Sequence, residues 1–388
     1  MTGCMDNPHK NPKLINIVMV GAFPPPTHGM AAVNAAVRDR LIETGAGVLV
    51  LDIAAPSLDR RLSQRLGRLP RVLQGLARLF SLRGVEGKPL YMSVSGGLGQ
   101  VYELFFLVVA RVKRMRVVLH HHSFAYLDRP SHLTNALILF AGANALHVVL
   151  SQGMGRRLTA RYPGVGEVIV LTNAAMLLEG SADETGTSVR NVLCTVGFLS
   201  NLSAEKGVFE FLDVISAAGK AGLPLQAKLA GPFQDAETER RVRAHLQELT
   251  NVEYVGPRHG EAKTRFYQGI DVLLFPTRYR NEAEPLVVLE AMREGLPVIA
   301  YGRGAIAEYV DECCGHVVPV EGNFVDESQR VLRKWCEEPE LLQEASKMAR
   351  QRFLDVLSDG LVSWKCLEKI LRTGNDDVSV GRPLPRQE

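Results

Sequence analysis

The stretch "PTRYRNEAEPLVVLEAMREGLPVIAY" (residues 276–301) follows an apolar, strand-like run, "DVLLF", and carries carboxylates on both sides of Pro285. Pro285 suits the first turn of a helix, where its missing N–H is harmless. The amides of Leu286, Val287 and Val288 would then lack intrahelical acceptors and point toward an anion. Glu290 falls about one turn into that helix, and Glu282 in the loop before it. A carboxylate beside a vicinal diol accepts two hydrogen bonds, which is how ribose is usually held. "PLVVLEAM" is almost wholly apolar, so the helix must be largely buried, and a buried carboxylate needs partners. The expected chemistry is the holding of a phosphorylated, hydroxyl-rich ligand, with phosphate at the helix mouth and a glutamate on each flank.

Three other stretches carry candidate chemistry. In "VGFLSNLSAEKGVFEFL", Lys206 and Gly207 follow a strand and open a helix. A lysine there is a mobile point charge with three donors, suited to phosphate; the plainer reading is a solvated surface lysine. "VGAFPPPTHGMAAV" lacks Gly-x-Gly-x-x-Gly, which argues against a dinucleotide oxidoreductase. Its Gly29 would let the backbone approach a ligand closely. In "VVLHHHSF", strand alternation puts His120 and His122 on one face and His121 on the other. Two histidines could share a ligand set, but no third ligand is evident, so neither a metal nor another cofactor is expected.

These residues need a scaffold, and the chain of 388 residues is long enough for two domains. Apolar runs alternate with helical stretches: "LINIVMVGAF", "GVLVLDI", "KPLYMSVS", "RVVLHHH", "ALHVVLS" and "EVIVLTN", then "NVLCTVGFLS", "LQAKLAG", "VEYVG", "DVLLFP", "PVIAY" and "GHVVPV". Such alternation means parallel sheets covered on both faces. The expected organisation is a flexible N-terminus (1–13), an α/β domain (14–178), a polar linker (179–190) and a second α/β domain (191–350). A helix (351–373) is expected to cross back to the first domain, before a disordered tail (374–388). The cleft between the domains is the default binding site.

Net charge is only +3, yet residues 1–180 hold twice as many Lys and Arg as Asp and Glu, and the remainder is net acidic. That asymmetry points to an anionic partner for the first half. "RRLSQRLGRLPRVLQGLARLFSLR" (60–83) has seven arginines and no acid, with leucines near helical spacing and breaks at Gly67 and Pro70. Arg60, Arg61, Arg65, Arg68 and Arg71 are therefore candidates for an anionic membrane surface or an anionic acceptor; the plainer alternative is a solvated helix face. Nucleic acid is not expected, since aromatics are nearly absent from that stretch. No transmembrane segment is read, and "LFFLVVA" (104–110) is too short to span a bilayer. The scattered cysteines suit free thiols in a reducing compartment. The expected location is cytoplasmic, peripheral on the cytoplasmic membrane face.

"NEAEPLVVLEAMREGLPVIAY" resembles the carboxylate motif of the retaining nucleotide-sugar glycosyltransferases of family 4, the glycosyl transferases group 1. "LSNLSAEKGV" resembles their donor-phosphate loop, "PPPTHGMAAV" their N-terminal glycine loop, and "VIVLTNAA" their Pro-Asn-Gly segment. The four fall in order over residues 14–372. The resemblance implies a GT-B fold, α/β with two Rossmann-like parallel-sheet domains facing each other across a cleft, the first on the acceptor side. It implies a metal-independent hexosyl transfer, from a nucleotide-sugar donor to a sugar or lipid-linked sugar acceptor, in bacterial cell-surface polysaccharide or glycolipid assembly. It assigns Glu290 to the ribose, Glu282 to the donor sugar, and Lys206 with the Leu286 and Val287 amides behind Pro285 to the pyrophosphate. Gly29 would approach the phosphates, Gly231 the base, and His122 the sugar, with His120 as second choice. Three departures stand out: Asn201 where an arginine is usual, with Arg278 or Arg280 as substitutes; Gly29-Met30 where two glycines are usual; and Glu284 where an aromatic is commoner, adding negative charge near the sugar. A nucleotide-sugar epimerase and a catalytically impaired donor-binding protein remain open on the same residues.

Overall fold

The twelve apolar runs become twelve strands in the computed structural model, which describes residues 15–56, 67–177 and 192–373. The expected flexible N-terminus, inter-domain linker and disordered tail lie outside the described residues. The first domain contains β1 (Ile17–Gly21), β2 (Val48–Asp52), β3 (Pro89–Val94), β4 (Arg116–His121), β5 (Leu146–Val149) and β6 (Glu167–Val170). The second contains β7 (Thr195–Leu199), β8 (Gln226–Ala230), β9 (Val252–Gly256), β10 (Val272–Phe275), β11 (Val298–Tyr301) and β12 (Gly315–Val318). The sheet orders are β2-β1-β3-β4-β5-β6 and β12-β11-β10-β7-β8-β9. Every recorded strand pairing is parallel. Strands such as β1, β3 and β10 are buried along their whole length, as a parallel sheet covered by helices on both faces requires. The α/β reading of the sequence is borne out.

Pro70 does not interrupt a helix. It sits in the first turn of Leu69–Ser81, where it is tolerated.

The helix Pro339–Thr373 belongs to both domains. Its first half places Leu342, Ala345, Ala349 and Phe353 in the core of the second. Its last turns place Trp364, Leu367, Ile370 and Leu371 in the core of the first, against Ile17, Met19 and Tyr91. Between these halves Gly360 meets the segment that ends the first domain. A Cβ there would lie 2.5 Å from Thr172 Cγ2 and 3.0 Å from Ala175 Cβ, so the helix approaches only because the residue is glycine.

Trp364 therefore holds the returning helix on the first domain. Trp364→Ala should cost about 3–5 kcal/mol, the usual range for deleting a buried aromatic. The remaining tryptophan, Trp335, is in the core of the second domain. In urea, far-UV circular dichroism should show early loss of structure, while the Trp335 fluorescence midpoint moves less.

Candidate functional site

A cavity of about 500 Å³ lies between the domains. Its walls come from the segments that follow the C-terminal ends of β1 through β10. In each sheet the strand order reverses beside the first strand of the domain, at β1/β3 and at β7/β10. Loops on either side of such a reversal diverge and leave a crevice, the usual ligand position in open α/β sheets.

Local rules place Lys206 in that cavity. Ser203 caps a short turn by accepting from the Lys206 amide at 3.3 Å. Gly207 then takes φ +88°, and a Cβ on it would lie 2.1 Å from the Pro276 carbonyl. Only glycine permits that approach, which presses the Lys206 loop against the segment after β10. The Arg278 amide completes the join by donating to Glu205 O at 2.9 Å. As a result Lys206 Nζ meets Glu282 Oε2 at 2.5 Å, and Thr277 Oγ1 donates to the same oxygen at 3.1 Å. Lys206 also lies 4.7 Å from the Tyr279 ring centroid, a cation–π contact. Both charges are mostly buried.

The helix mouth differs in one respect from expectation. The helix is Leu286–Arg293 with Pro285 as its cap residue, and the Val288 amide already donates to Pro285 O at 3.1 Å. The two amides without acceptors among the described residues are those of Leu286 and Val287, and both residues line the cavity. Glu290 stands further back. Lys263 Nζ donates to its Oε1 at 2.6 Å and Tyr267 OH to its Oε2 at 2.8 Å. These are the partners that burial demands. Lys263 reaches the cavity wall and Glu290 does not.

Glu284 corrects the expectation of added negative charge at the sugar. Its carboxyl accepts from Thr172 Oγ1 at 2.7 Å and from the Asn173 amide, while Asn173 Nδ2 donates to Glu284 O at 2.9 Å. Burial pushes this carboxyl up to about 8, against hydrogen bonds that pull it down, so at neutral pH it is mostly uncharged. It clasps the first domain. Asn281 does the same beside it, its Oδ1 accepting from Ser123 Oγ at 2.9 Å.

Asn201 lines the cavity, but neither suggested substitute faces it. Arg278 donates to Tyr301 OH and stacks 4.6 Å from its ring centroid, and the Arg280 carbonyl accepts from Arg303. Among the described residues, the cations on the wall besides Lys206 are Arg68, Arg258 and Lys263. Arg68 was read with the row of arginines expected at a membrane surface or an anionic acceptor, and it lies on the cavity wall. Its Nε donates to Ile53 O at 2.9 Å, and its guanidinium turns inward over the Tyr102 ring. Arg71 likewise turns back, donating to Ala54 O at 3.1 Å and pairing with Asp52 at 3.6 Å. Arg60, Arg61 and Arg65 lie outside the described residues.

On the first-domain wall, His122 follows β4 and lines the cavity. Its Nε2 is buried and has no partner among the described residues. Burial and the nearby His28 lower it to about 3, so it is a neutral imidazole. His120 packs on the same side, ring centroids 4.0 Å apart, and bonds Tyr91 OH. His121 points the other way, toward Tyr126 and His147. Gly29 begins the helix Gly29–Glu43 and has open space where a Cβ would stand. Gly231 takes φ +129°, and a Cβ there would lie 1.7 Å from Ser200 O, so only glycine lets the ends of β7 and β8 share one wall. No three His, Cys, Asp or Glu side chains converge as metal ligands among the described residues.

The sequence reading missed His28, Ser95, Arg258 and Lys263, all on the wall. Ser95 was within reach, because the loop after β3 borders the strand-order reversal. His28 stood beside Gly29 in the quoted loop; its ring caps the helix and is lowered to about 4 by burial, then by Arg68 and Lys206. No local pattern signals Arg258 or Lys263.

Residues 193–352 match the family model described as glycosyl transferases group 1. A search of curated proteins finds no match. Among solved structures, the chain is similar to a sucrose-phosphate synthase from Thermosynechococcus elongatus, at 16% identity and TM-score 0.65, over 92% of this chain and 99% of that one. It is similar to Anabaena HepE solved with UDP-glucose, at 17% identity and TM-score 0.62, over 91% and 99%. It is also similar to WaaG, a glycosyltransferase involved in lipopolysaccharide biosynthesis, at 16% identity and TM-score 0.60, over 92% and 100%. At such identities the likeness carries the fold alone.

Two outcomes follow from the geometry. Lys206→Met leaves Glu282 buried without its counter-charge and should cost on the order of 3 kcal/mol; adding Glu282→Gln should recover most of it, read as a coupling energy in urea denaturation. The second concerns Glu284. Its folded value of about 8 lies above the ordinary 4.5, so the folded state keeps a proton that the unfolded chain has lost. That contribution is complete below pH 4.5 and is lost as pH rises through about 8. In thermal melts Glu284→Gln should gain on the wild type across that window and then run parallel to it.

Proposed function

We propose, on the premise that the second domain belongs to the glycosyl transferases group 1 and that the chain has the GT-B fold, that this protein is a retaining glycosyltransferase. It would take a sugar from a nucleotide diphosphate and attach it to an acceptor hydroxyl. The observation that carries this reading is the convergence in one inter-domain cavity of Lys206, Glu282 and the amides of Leu286 and Val287, which have no acceptor among the described residues. HepE, solved with UDP-glucose, has this fold, and a nucleotide sugar is accordingly the donor proposed.

The pyrophosphate would sit at the mouth of Leu286–Arg293, where amides and helix dipole favour an anion. Its arrival would draw Lys206 from Glu282 and release a carboxylate oxygen for a sugar hydroxyl. Neutral His122 would meet the sugar from the opposite wall through its unpartnered Nε2. Lys263 and Glu290 together would serve the ribose, Glu290 once Lys263 swings aside. Arg258 supplies a cation to the cavity where Asn201 supplies none. Transfer would proceed on one face: the bond from the anomeric carbon to the phosphate oxygen breaks, the bond to the acceptor oxygen forms, and the acceptor proton passes to the departing phosphate. Lys206 and the helix amides stabilise the charge that develops there, so the scheme uses no metal.

The acceptor would enter along the first-domain wall, past His28, Ser95 and Arg68. A cation at that position fits an acceptor that carries phosphate, such as a lipid-linked sugar in surface-polysaccharide or glycolipid assembly at the cytoplasmic face of a membrane.

Purified protein should be screened against a panel of nucleotide sugars by thermal shift and slow donor hydrolysis, with Lys206→Ala and Glu290→Ala alongside. One donor should stabilise the wild type and bind each variant at least about tenfold more weakly, the worth of a lost charge-assisted hydrogen bond. No response to any donor would overturn the reading. Binding without turnover in any acceptor would favour a donor-binding protein, the alternative that Asn201 supports. Turnover without an acceptor, giving an epimerised sugar, would replace transfer with epimerisation.

A further inference from the structure

The helices Leu69–Ser81, Gln100–Val112 and His132–Ala141 form one layer on the first sheet, with Gln100–Val112 in the middle. Their inner faces supply the core, through Val72, Phe106 and Ile138 among others. Their outer faces should be polar, as on any solvated helix. The middle helix breaks that rule. Val101, Phe105, Val108 and Val112 recur along one stripe and all are exposed, Phe105 at 55% and Val112 at 71%. The flanking helices add Leu73 and Phe80 on one side and Leu139 and Phe140 on the other, with Phe80 68% exposed. Leu98, also exposed, continues the stripe to within two residues of the cavity-lining Gly96.

Charge decides what this face meets. The three helices carry one acid, Glu103, and it is buried. Cations cluster where the helices end: Arg78, Arg83, Arg111 and Lys113. Lys113 lies 5.6 Å from the Phe80 ring centroid, and Arg111 lies beside Gly142 at the end of the third helix. Nearby Glu86 pairs with Arg114. An apolar stripe with a cationic rim and no exposed acid on its helices is complementary to the interface of an anionic bilayer: acyl chains for Phe and Val, headgroups for Arg and Lys.

We propose that this helix layer is a membrane-docking face, centred on Phe105 and lying flat on an anionic lipid surface. It overlaps the arginine-rich stretch read from the sequence only in part: Arg68 turns inward and Arg71, though exposed, is tied back to Ala54 and Asp52, whereas Arg78 and Arg83 join the rim. The inference does not depend on sugar transfer, and its test uses neither donor nor acceptor.

The full chain should be co-sedimented with vesicles of phosphatidylcholine and phosphatidylglycerol in a two-to-one ratio, and with phosphatidylcholine alone. The wild type should bind the mixed vesicles and not the neutral ones. Phe105→Asp should weaken binding by at least about tenfold, as expected for losing a buried aromatic, with an unchanged melting temperature because the side chain is exposed. Arg78→Glu with Arg111→Glu should weaken it several-fold, more at low salt than at high. Phe105→Trp should blue-shift on mixed vesicles. Failure of the wild type to bind, or equal binding by Phe105→Asp, would overturn the proposal. So would a dimer in sedimentation velocity that Phe105→Asp dissolves while no vesicle is bound, which would make the face a contact between copies.

Discussion

The grip of residues 281–285 on the first domain is the constraint from which the site follows. Asn281 reaches Ser123, and Glu284 is held by Thr172 and Asn173. The same few residues carry Glu282 to Lys206 and deliver the chain into the helix whose amides face the cavity. A second contact supports the grip from the far side, where Glu308 accepts from Ser151 Oγ at 2.5 Å and from the Gly153 amide at 2.9 Å. Arg303 adds a pair with Asp128 at 2.6 Å. Residues 281–285 thus belong to both the cleft and the domain interface, and neither can be rebuilt there without the other.

Within the cavity both lysines are already paired before any ligand arrives. Lys206 has Glu282, and Lys263 has Glu290. A phosphate entering at the helix mouth would compete for both lysines, and part of its attraction would be spent on separating pairs that already exist. What remains is directional. Amides fixed by the helix do not reorganise, and a field set in advance acts on the charge that forms as a bond breaks. The buried histidines complete the design by staying neutral. A cationic His122 or His28 beside Lys206 would add like-charge repulsion, and burial removes that option.

The strands were legible because a sheet covered on both faces writes itself as continuous apolar runs. The phosphate loop was legible because its glycine and cap are local. The pairings were not. Lys206 and Glu282 are joined by a contact between Gly207 and Pro276 that no periodicity reports, and Glu284 looked like spare charge because Thr172 lies in the other domain. The place of Arg68 was not legible for a related reason. Helical spacing groups arginines by sequence and does not report that Arg68, the cap residue of Leu69–Ser81, reaches Ile53 O and the cavity wall. The stripe at Phe105 escaped because an apolar run reads as core until the burial of each face is known.

The helix Pro339–Thr373 carries the chain from the second domain back to the first, and between its halves Gly360 lies against Thr172 and Ala175. Two bodies that share one continuous helix keep little freedom to slide. The freedom such a join leaves is rotation about the crossing, the motion of a book on its spine. The spine lies beside the Thr172–Glu284 clasp, so a small turn there would become a larger separation between the Gly29 and Lys206 loops, which line the cavity from the two domains. Ligand size would then set the angle at which the book rests.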